Sequence, residues 1–363
     1  MAQNLLHLGI ALDGYGWHPR AWQQTLAADP AISPVTSGRY WAELARTAER
    51  GLLDFLTIDD SFIAAPGRRE GTVPHRLAGR ADAVLVAARI APVTHHIGLI
   101  PVATVTHTEP FHVSKAIATL DFVSRGRAGW QVRVSPSEDE AAAFGRRSVP
   151  DGNELFDEAT DFVDVVRRLW DSWEDDAVIR DVSTGRYVDR DKLHYIDFVG
   201  KYFSVKGPSI TPRPPQGQTV VGALAHAKRV YEFADASADL VFITPTDEES
   251  VREIVNQVSI AKPIADLVVS FGGGDDFGSD ALIFTGSPAQ LVELLVGWHD
   301  LGVPGFRLRP AVNATDLPII VDEVVPLLQR TGRFRTGYRD DETLRERFGL
   351  PAAVNRYATA GVS

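Results

Sequence analysis

Short apolar runs of strand length alternate along this chain with longer stretches whose apolar residues recur at helical spacing. Leu6 to Leu12 is a buried-strand type of run that ends in Asp13-Gly14. A helical stretch follows over Arg39 to Arg50, with Tyr40, Leu44, Ala45 and Ala48 on one face and Gly51 as a stop. Phe55 to Ile58 is the second strand, and Arg80 to Ile90 the next helix. His96 to Val105 is the third strand, and Glu109-Pro110 opens a helix through Ser124, proline being suited to the first turn. Gly129 to Val134 is the fourth strand.

The rhythm breaks over residues 136–218, which hold one long amphipathic helix, about Glu154 to Glu174, and a polar stretch punctuated by glycine and proline. It resumes with Thr219 to Leu224 and a helix to about Ala238. Leu240 to Thr244 and a helix to about Ile260 come next, then Leu267 to Phe271 with Ser287 to Leu301, and Gly305 to Pro310 with Leu317 to Gln329. Eight strand-then-helix units require parallel strands with helical crossovers. The predicted fold is α/β, a (β/α)8 TIM barrel over residues 1–335 with a long insertion after strand four, followed by a polar, arginine-rich C-terminal arm over 336–363 that packs on a neighbour. A doubly wound open sheet is the rival. Only Gly14 and Gly16 stand where a dinucleotide-binding fold would carry a fuller glycine fingerprint.

Composition narrows the function. The chain has 363 residues, 44% hydrophobic and 23% charged, an ordinary globular balance. Its 37 basic and 48 acidic residues give a net charge of −11, which argues against a nucleic-acid partner. There are no cysteines, so disulfides, thiolate metal sites and a thiol nucleophile are excluded. The N-terminus has no signal-peptide pattern and no apolar run is long enough to cross a membrane, so the expected setting is cytoplasmic. Ten histidines without an HExxH pattern give no support for a metal site.

In a TIM barrel the chemistry lies at the C-terminal ends of the strands. The first loop there holds Asp13, Tyr15, Trp17, His18 and Trp22, a cluster that can hold a planar ligand or pack a long loop. Asp59, Asp60 and Ser61 end strand two, as a helix cap or as groups facing the mouth. Strand three ends in Thr104, Thr106, His107 and Thr108, hydroxyls and one imidazole suited to hydrogen bonding a heteroatom ring or to proton transfer. Gln131 and Arg133 share one side of strand four, where Gln131 either faces a flavin-sized ligand or makes an interior polar contact. Arg307 and Arg309 share one side of strand eight, either as a phosphate site after strands seven and eight or as a surface ion pair. The glycine run Gly272 to Gly274 is a candidate lid.

These residues resemble a known family, the bacterial-luciferase-like flavin-dependent monooxygenases, and within it the branch of nitrilotriacetate and sulfone monooxygenases. Ala103 to Val132 is similar to the family's strand-three to strand-four segment, with its Pro-aromatic pair and its LD-x-x-S-x-GR-x-GW motif. Leu169 to Ala177 resembles the branch's insertion helix, Phe203 to Val221 its approach to strand five, and Ala48 to Phe62 its strand two. The resemblance implies reduced FMN supplied by a separate reductase, O2 as oxidant, a small organic substrate, and a homodimer or larger assembly. It places Asp60 and its neighbour Asp59 beside the flavin, and Thr104 and Thr106 near the ring. Gln131 falls where the branch has asparagine, Ser135 at the end of strand four, and His18 and Trp22 in the first loop. His107 and His18 are then the candidate proton carriers, and Trp17 and Trp22 the substrate wall.

The chain departs from the family at the flavin phosphate. A Gly-Ser-Ser turn after strand five is replaced by Ala223-Leu224-Ala225-His226, an Arg-Tyr pair by Leu155-Phe156, and an arginine by Lys115. Arg307, Arg309 and the backbone at His226-Ala227 are the expected substitutes. A deazaflavin-dependent oxidoreductase and a non-catalytic flavin-binding or assembly subunit are the alternative functions.

Overall fold

A computed structural model describes residues 5–63, 77–273 and 277–358. Eight parallel strands close on themselves: β1 (His7–Leu12), β2 (Phe55–Ile58), β3 (Gly98–Thr104), β4 (Gly129–Arg133), β5 (Val220–Ala225), β6 (Leu240–Ile243), β7 (Lys262–Ser270) and β8 (Gly305–Pro310). Each pairs with the next, and β1 pairs with both β2 and β8. Helices return the chain on the outside, including α1 (Ala21–Ala28), α2 (Gly38–Arg50), α3 (Ala83–Ile90) and α4 (Pro110–Ser124). On α2, the buried Tyr40, Trp41, Leu44, Ala45 and Ala48 form the face laid on the barrel, while Arg39 and Glu43 pair in solvent.

One irregularity shapes the mouth. The first half of β7 pairs with β6, but Leu267–Ser270 pairs with an additional parallel strand, Leu282–Thr285. The strand β7 therefore begins at Lys262, five residues before the apolar run that announces it.

The insertion begins with α5 (Glu138–Phe144) and α6 (Gly152–Asp171), and continues as two small hairpins, Val178–Asp181 with Arg186–Val188 and Phe198–Val199 with Ser204–Val205. Asp151 caps α6 by accepting from the backbone of Asn153 and Glu154. The helix after β8 runs from Asn313 to Arg330 through a π-helical turn at Ile320–Val324, just ahead of Pro326, whose ring nitrogen has no proton to donate.

The tail expected to reach a neighbour instead closes the floor of its own barrel. Leu344 and Phe348, each 1% exposed, pack with Phe55, Ile100, Val220, Phe242 and Ile264 at the N-terminal end of the strands. Arg347 donates to the carbonyls of Asp54 and His96, and Asn355 ties the tail to the insertion through the carbonyls of Asp171 and Trp173. The barrel interior is thus sealed below by apolar side chains.

Candidate active site

The first loop is fastened across the top of the barrel. Trp17 and His18 donate backbone N–H groups to the carbonyls of Pro310 and Ala311, at the end of β8. Gly16 has φ +144°, and a Cβ there would sit 2.3 Å from the Ala311 carbonyl oxygen, so only glycine lets the two segments approach. Tyr40 and Asn313 both donate to the Gly14 carbonyl and fix the loop from behind. His18 is 7% exposed and meets the Phe277 ring edge-on at 4.6 Å. Its Nδ1 accepts the Arg20 backbone N–H at 3.0 Å, which assigns the ring proton to Nε2. Burial, and then the charge of Arg20, holds this imidazole below its ordinary pKa. His18 is therefore a neutral donor at neutral pH.

Below the loop lies a layer of charge. Arg307 and Arg309 do share one face of β8, and that face is the barrel interior. Asp266 stands directly opposite Arg307 in the sheet register and is fully buried. It accepts Arg307 Nε at 2.6 Å and Nη2 at 2.5 Å, and it also accepts Arg309 Nη2. Arg309 makes a second pair with Asp280 at 2.5 Å, and Arg307 Nη1 donates to Gln131 Oε1 at 2.6 Å. The two guanidinium planes lie over Phe242 and Trp17. Both arginines are thus engaged by protein carboxylates in the interior, and neither the phosphate site nor the surface pair expected of them describes this arrangement. Gln131 makes the interior polar contact through Oε1 and also lines the deeper opening, so its two readings are not exclusive.

The ends of β3 and β4 are equally interlocked. Thr104 accepts from Arg133 at 3.0 Å, and Thr106 accepts the Ser135 backbone N–H at 2.8 Å. Arg133 also forks onto Glu140, with both bonds at 3.0 Å. Burial pushes the Glu140 carboxyl up, but the hydrogen bonds from Arg133 and Ser135 outweigh it and hold the group below its ordinary value. His107 stacks on Phe144 of α5 and is 7% exposed, and its Nε2 has no partner among the described residues. Burial, then the nearby Arg147, lowers its pKa as well.

Asp59 and Asp60 divide the two roles open to them. Asp59 pairs with Arg80 at 2.9 Å and faces the mouth. Asp60 turns away to accept the N–H groups of Ser61 and of Ala83, the first residue of α3, so it supports that helix start from outside while Asp82 is the N-cap. At the end of β5, His226 is exposed, touches Thr244 Oγ1 at 2.9 Å and lies 3.4 Å from Asp280.

Among the described residues three cavities at this end bear on the site. One of 310 Å³ is bounded by Asp13, Trp17, Asp59, Arg80, Arg133 and Phe277. A deeper one of 110 Å³ is lined by Trp17, Val102, Gln131, Leu224, Arg307 and Arg309. A slot of 90 Å³ lies under the first loop among Tyr15, Trp17, Trp22 and Trp41. Trp17, Trp22, His18, Asp59 and Gln131 therefore line openings, whereas Thr104, Thr106 and Ser135 are buried beside them. Sequence reasoning missed Asp266, Glu140, Arg80 and Asp280. An acidic residue immediately before the apolar run Leu267 to Phe271 was the available signal for Asp266. Of the candidate lid, Gly272 and Gly273 are exposed, and residue 274 lies outside the described residues.

Among the described residues no helix is long and apolar enough to cross a membrane, and no three His, Asp or Glu side chains are grouped as metal ligands. The luciferase-like monooxygenase family model matches residues 18–266. The N-acetyl-S-(2-succino)cysteine monooxygenase of Bacillus subtilis is 30% identical, with 97% of this chain and 98% of that one covered. That alignment runs over 442 positions, more than the 363 residues here, so the relative carries additional segments. Nitrilotriacetate monooxygenase component A of Aminobacter aminovorans is 36% identical over 66% of this chain, which spans only 54% of that relative's length. A solved structure of riboflavin lyase, bound to modified FMN and riboflavin, shares the fold with a TM-score of 0.81 at 22% identity, covering 94% of this chain and 95% of that one.

Proposed function

Because this chain belongs to the luciferase-like monooxygenase family, we propose that it is the oxygenase of a two-component system, oxidising a small organic substrate with O2 and with FMN reduced by a separate reductase. The observation that carries this reading is the set of joined openings over the polar layer of the barrel, walled by Trp17, Val102, Val268 and Leu224 and edged by hydrogen-bonding groups. Apolar walls with a few polar edges suit a flat ring carrying heteroatoms on one side. His107 Nε2 is a buried polar atom without a partner among the described residues, although His107 lines none of the three openings.

Bound reduced flavin would supply the electrons that activate O2. The chain's own residues hold and shield it. Gln131 and Asp59 would meet the polar edge of the ring, with Thr104, Thr106 and Ser135 fixing the strand ends behind them. The phosphate would lie near His226, where the helix Lys228–Ser237 starts without a side-chain cap and leaves backbone N–H groups for an anion. His18 holds a proton on Nε2 at the mouth, and His107 offers a second neutral imidazole from the loop after β3. Trp17, Trp22 and Phe277 keep bulk water from the reacting face.

The test is reductase-coupled turnover under ¹⁸O-labelled O2 with a panel of thioethers, sulfones and amines. One labelled oxygen in a product is expected. Turnover without label, or with a reduced deazaflavin only, would contradict the reading.

A further inference from the structure

The deeper cavity is lined by Gln131 and Arg307, and Arg307 is fixed before Gln131 is considered. Asp266 takes its Nε and Nη2, at 2.6 and 2.5 Å, and the guanidinium carbon lies 3.7 Å from the centre of the Phe242 ring. Phe242 can lie there because Gly222 on β5 has no side chain: a Cβ would come within 2.9 Å of the ring. The remaining Nη1 reaches Gln131 Oε1 at 2.6 Å, with Thr57 Oγ1 further off at 3.5 Å. A guanidinium has N–H donors and no acceptor, so the atom it meets is the amide oxygen; the reversed amide would set N–H against N–H. Gln131 is 5% exposed, and its Nε2 bonds to no described residue. The amide thus turns its donor side to the cavity. Around it, Trp17 spends its indole N–H on the Ala11 carbonyl at 2.8 Å, and the lining carboxylates Asp59 and Asp280 can only accept.

We infer that Arg307 is a positioning residue: held by Asp266 and Phe242, it fixes the Gln131 amide as a hydrogen-bond donor to the cavity, so the ligand atom received there is an acceptor such as a ring carbonyl oxygen. Calling that ligand a flavin rests on the proposed function; the aim of the amide does not.

The first test needs no flavin. In protein labelled with ¹⁵N-glutamine, the side-chain amide signals that vanish in Gln131→Glu belong to Gln131. They should lie apart from those of exposed glutamines, and move towards them in Arg307→Met, where the amide is free to turn. Arg307→Lys keeps a charge opposite Asp266 without the fork, and serves the same comparison should the methionine variant fail to fold. Signals unchanged by loss of the fork overturn the inference. The second test titrates riboflavin and FMN into the variants. Gln131→Glu, whose carboxylate pairs with Arg307 and turns an acceptor to the cavity, should weaken both ligands about tenfold or more. In the Arg307→Met background the same change should cost less than about threefold, because a buried glutamic acid without its cation stays protonated and can donate. Equal penalties in the two backgrounds would make Arg307 a merely structural neighbour and overturn the inference. Amide signals that respond as expected in a protein that binds neither ligand would overturn the proposed function alone.

Discussion

Replacing Asp266 by asparagine keeps the shape of the side chain and deletes the charge on which the interior of the barrel depends. Asp266 accepts three hydrogen bonds from two guanidinium groups, and it is fully buried while Arg307 is 3% and Arg309 1% exposed. Arg309 keeps Asp280 in the variant, but Arg307 retains only the neutral Gln131 and Thr57. Breaking one partner out of a buried ion pair costs about 3–5 kcal/mol, because the remaining charge cannot reach water. For a chain of 363 residues, the unfolding entropy typical of globular proteins converts that loss into a Tm lower by roughly 4–7 °C. Thermal unfolding followed by near-UV circular dichroism, supported by urea titration, measures it. The exposed pair Arg50–Asp322 is the control, and Arg50→Ala should shift Tm very little. A Tm of Asp266→Asn within about 1 °C of the parent would refute the claim that this carboxylate anchors the layer.

Three further outcomes follow from the same geometry. Arg307→Met should weaken FMN and riboflavin equally, since Arg307 is held by Asp266 inside the barrel; a loss confined to FMN would return the phosphate to β8. His18→Ala should lower turnover by about 10²-fold with folding intact. Because His18 has a folded pKa below its ordinary 6.5, it is neutral at pH 7, and the unfolded chain takes up the proton first on acidification. Its contribution to stability is therefore full above pH 6.5 and is lost as the pH falls from there through the lowered value, so the parent should lose more stability than His18→Ala between pH 7 and 5. Gly16→Ala should displace the first loop from β8, because its Cβ would meet the Ala311 carbonyl; an unchanged Tm together with unchanged reduced-FMN binding would show that the loop tolerates it.

Much of the barrel is legible in the sequence because its strands are buried on both faces and read as continuous apolar runs. Phe55–Ile58 and Gly305–Pro310 take the expected bounds for that reason. The strand β7 starts earlier than its apolar run because Lys262 and Pro263 resemble a turn, yet their backbone pairs with Leu240 and Val241. The additional strand Leu282–Thr285 is only partly buried and follows a polar loop, so no period marks it. In the site, the spacing of Arg307 and Arg309 gives their common side, but a two-residue period says nothing about which side faces inward. That is decided by Asp266 on the neighbouring strand, across a separation of 41 residues. Glu140 lies in an acidic stretch with no apolar period, and its burial depends on partners distant in sequence or fold, Arg133 at the end of β4 and the Phe62 backbone N–H.

The central claim is that this mouth holds reduced flavin and uses it with O2. Anaerobic titration of the protein with reduced FMN, oxidised FMN and a reduced deazaflavin, each followed by quenching of its seven tryptophans, tests it most directly. Reduced FMN should bind with the highest affinity of the three, and admitting O2 to that complex should return oxidised FMN more slowly than from free reduced FMN. Absence of reduced-FMN binding, preference for the deazaflavin, or reoxidation at the rate of free flavin would contradict the account.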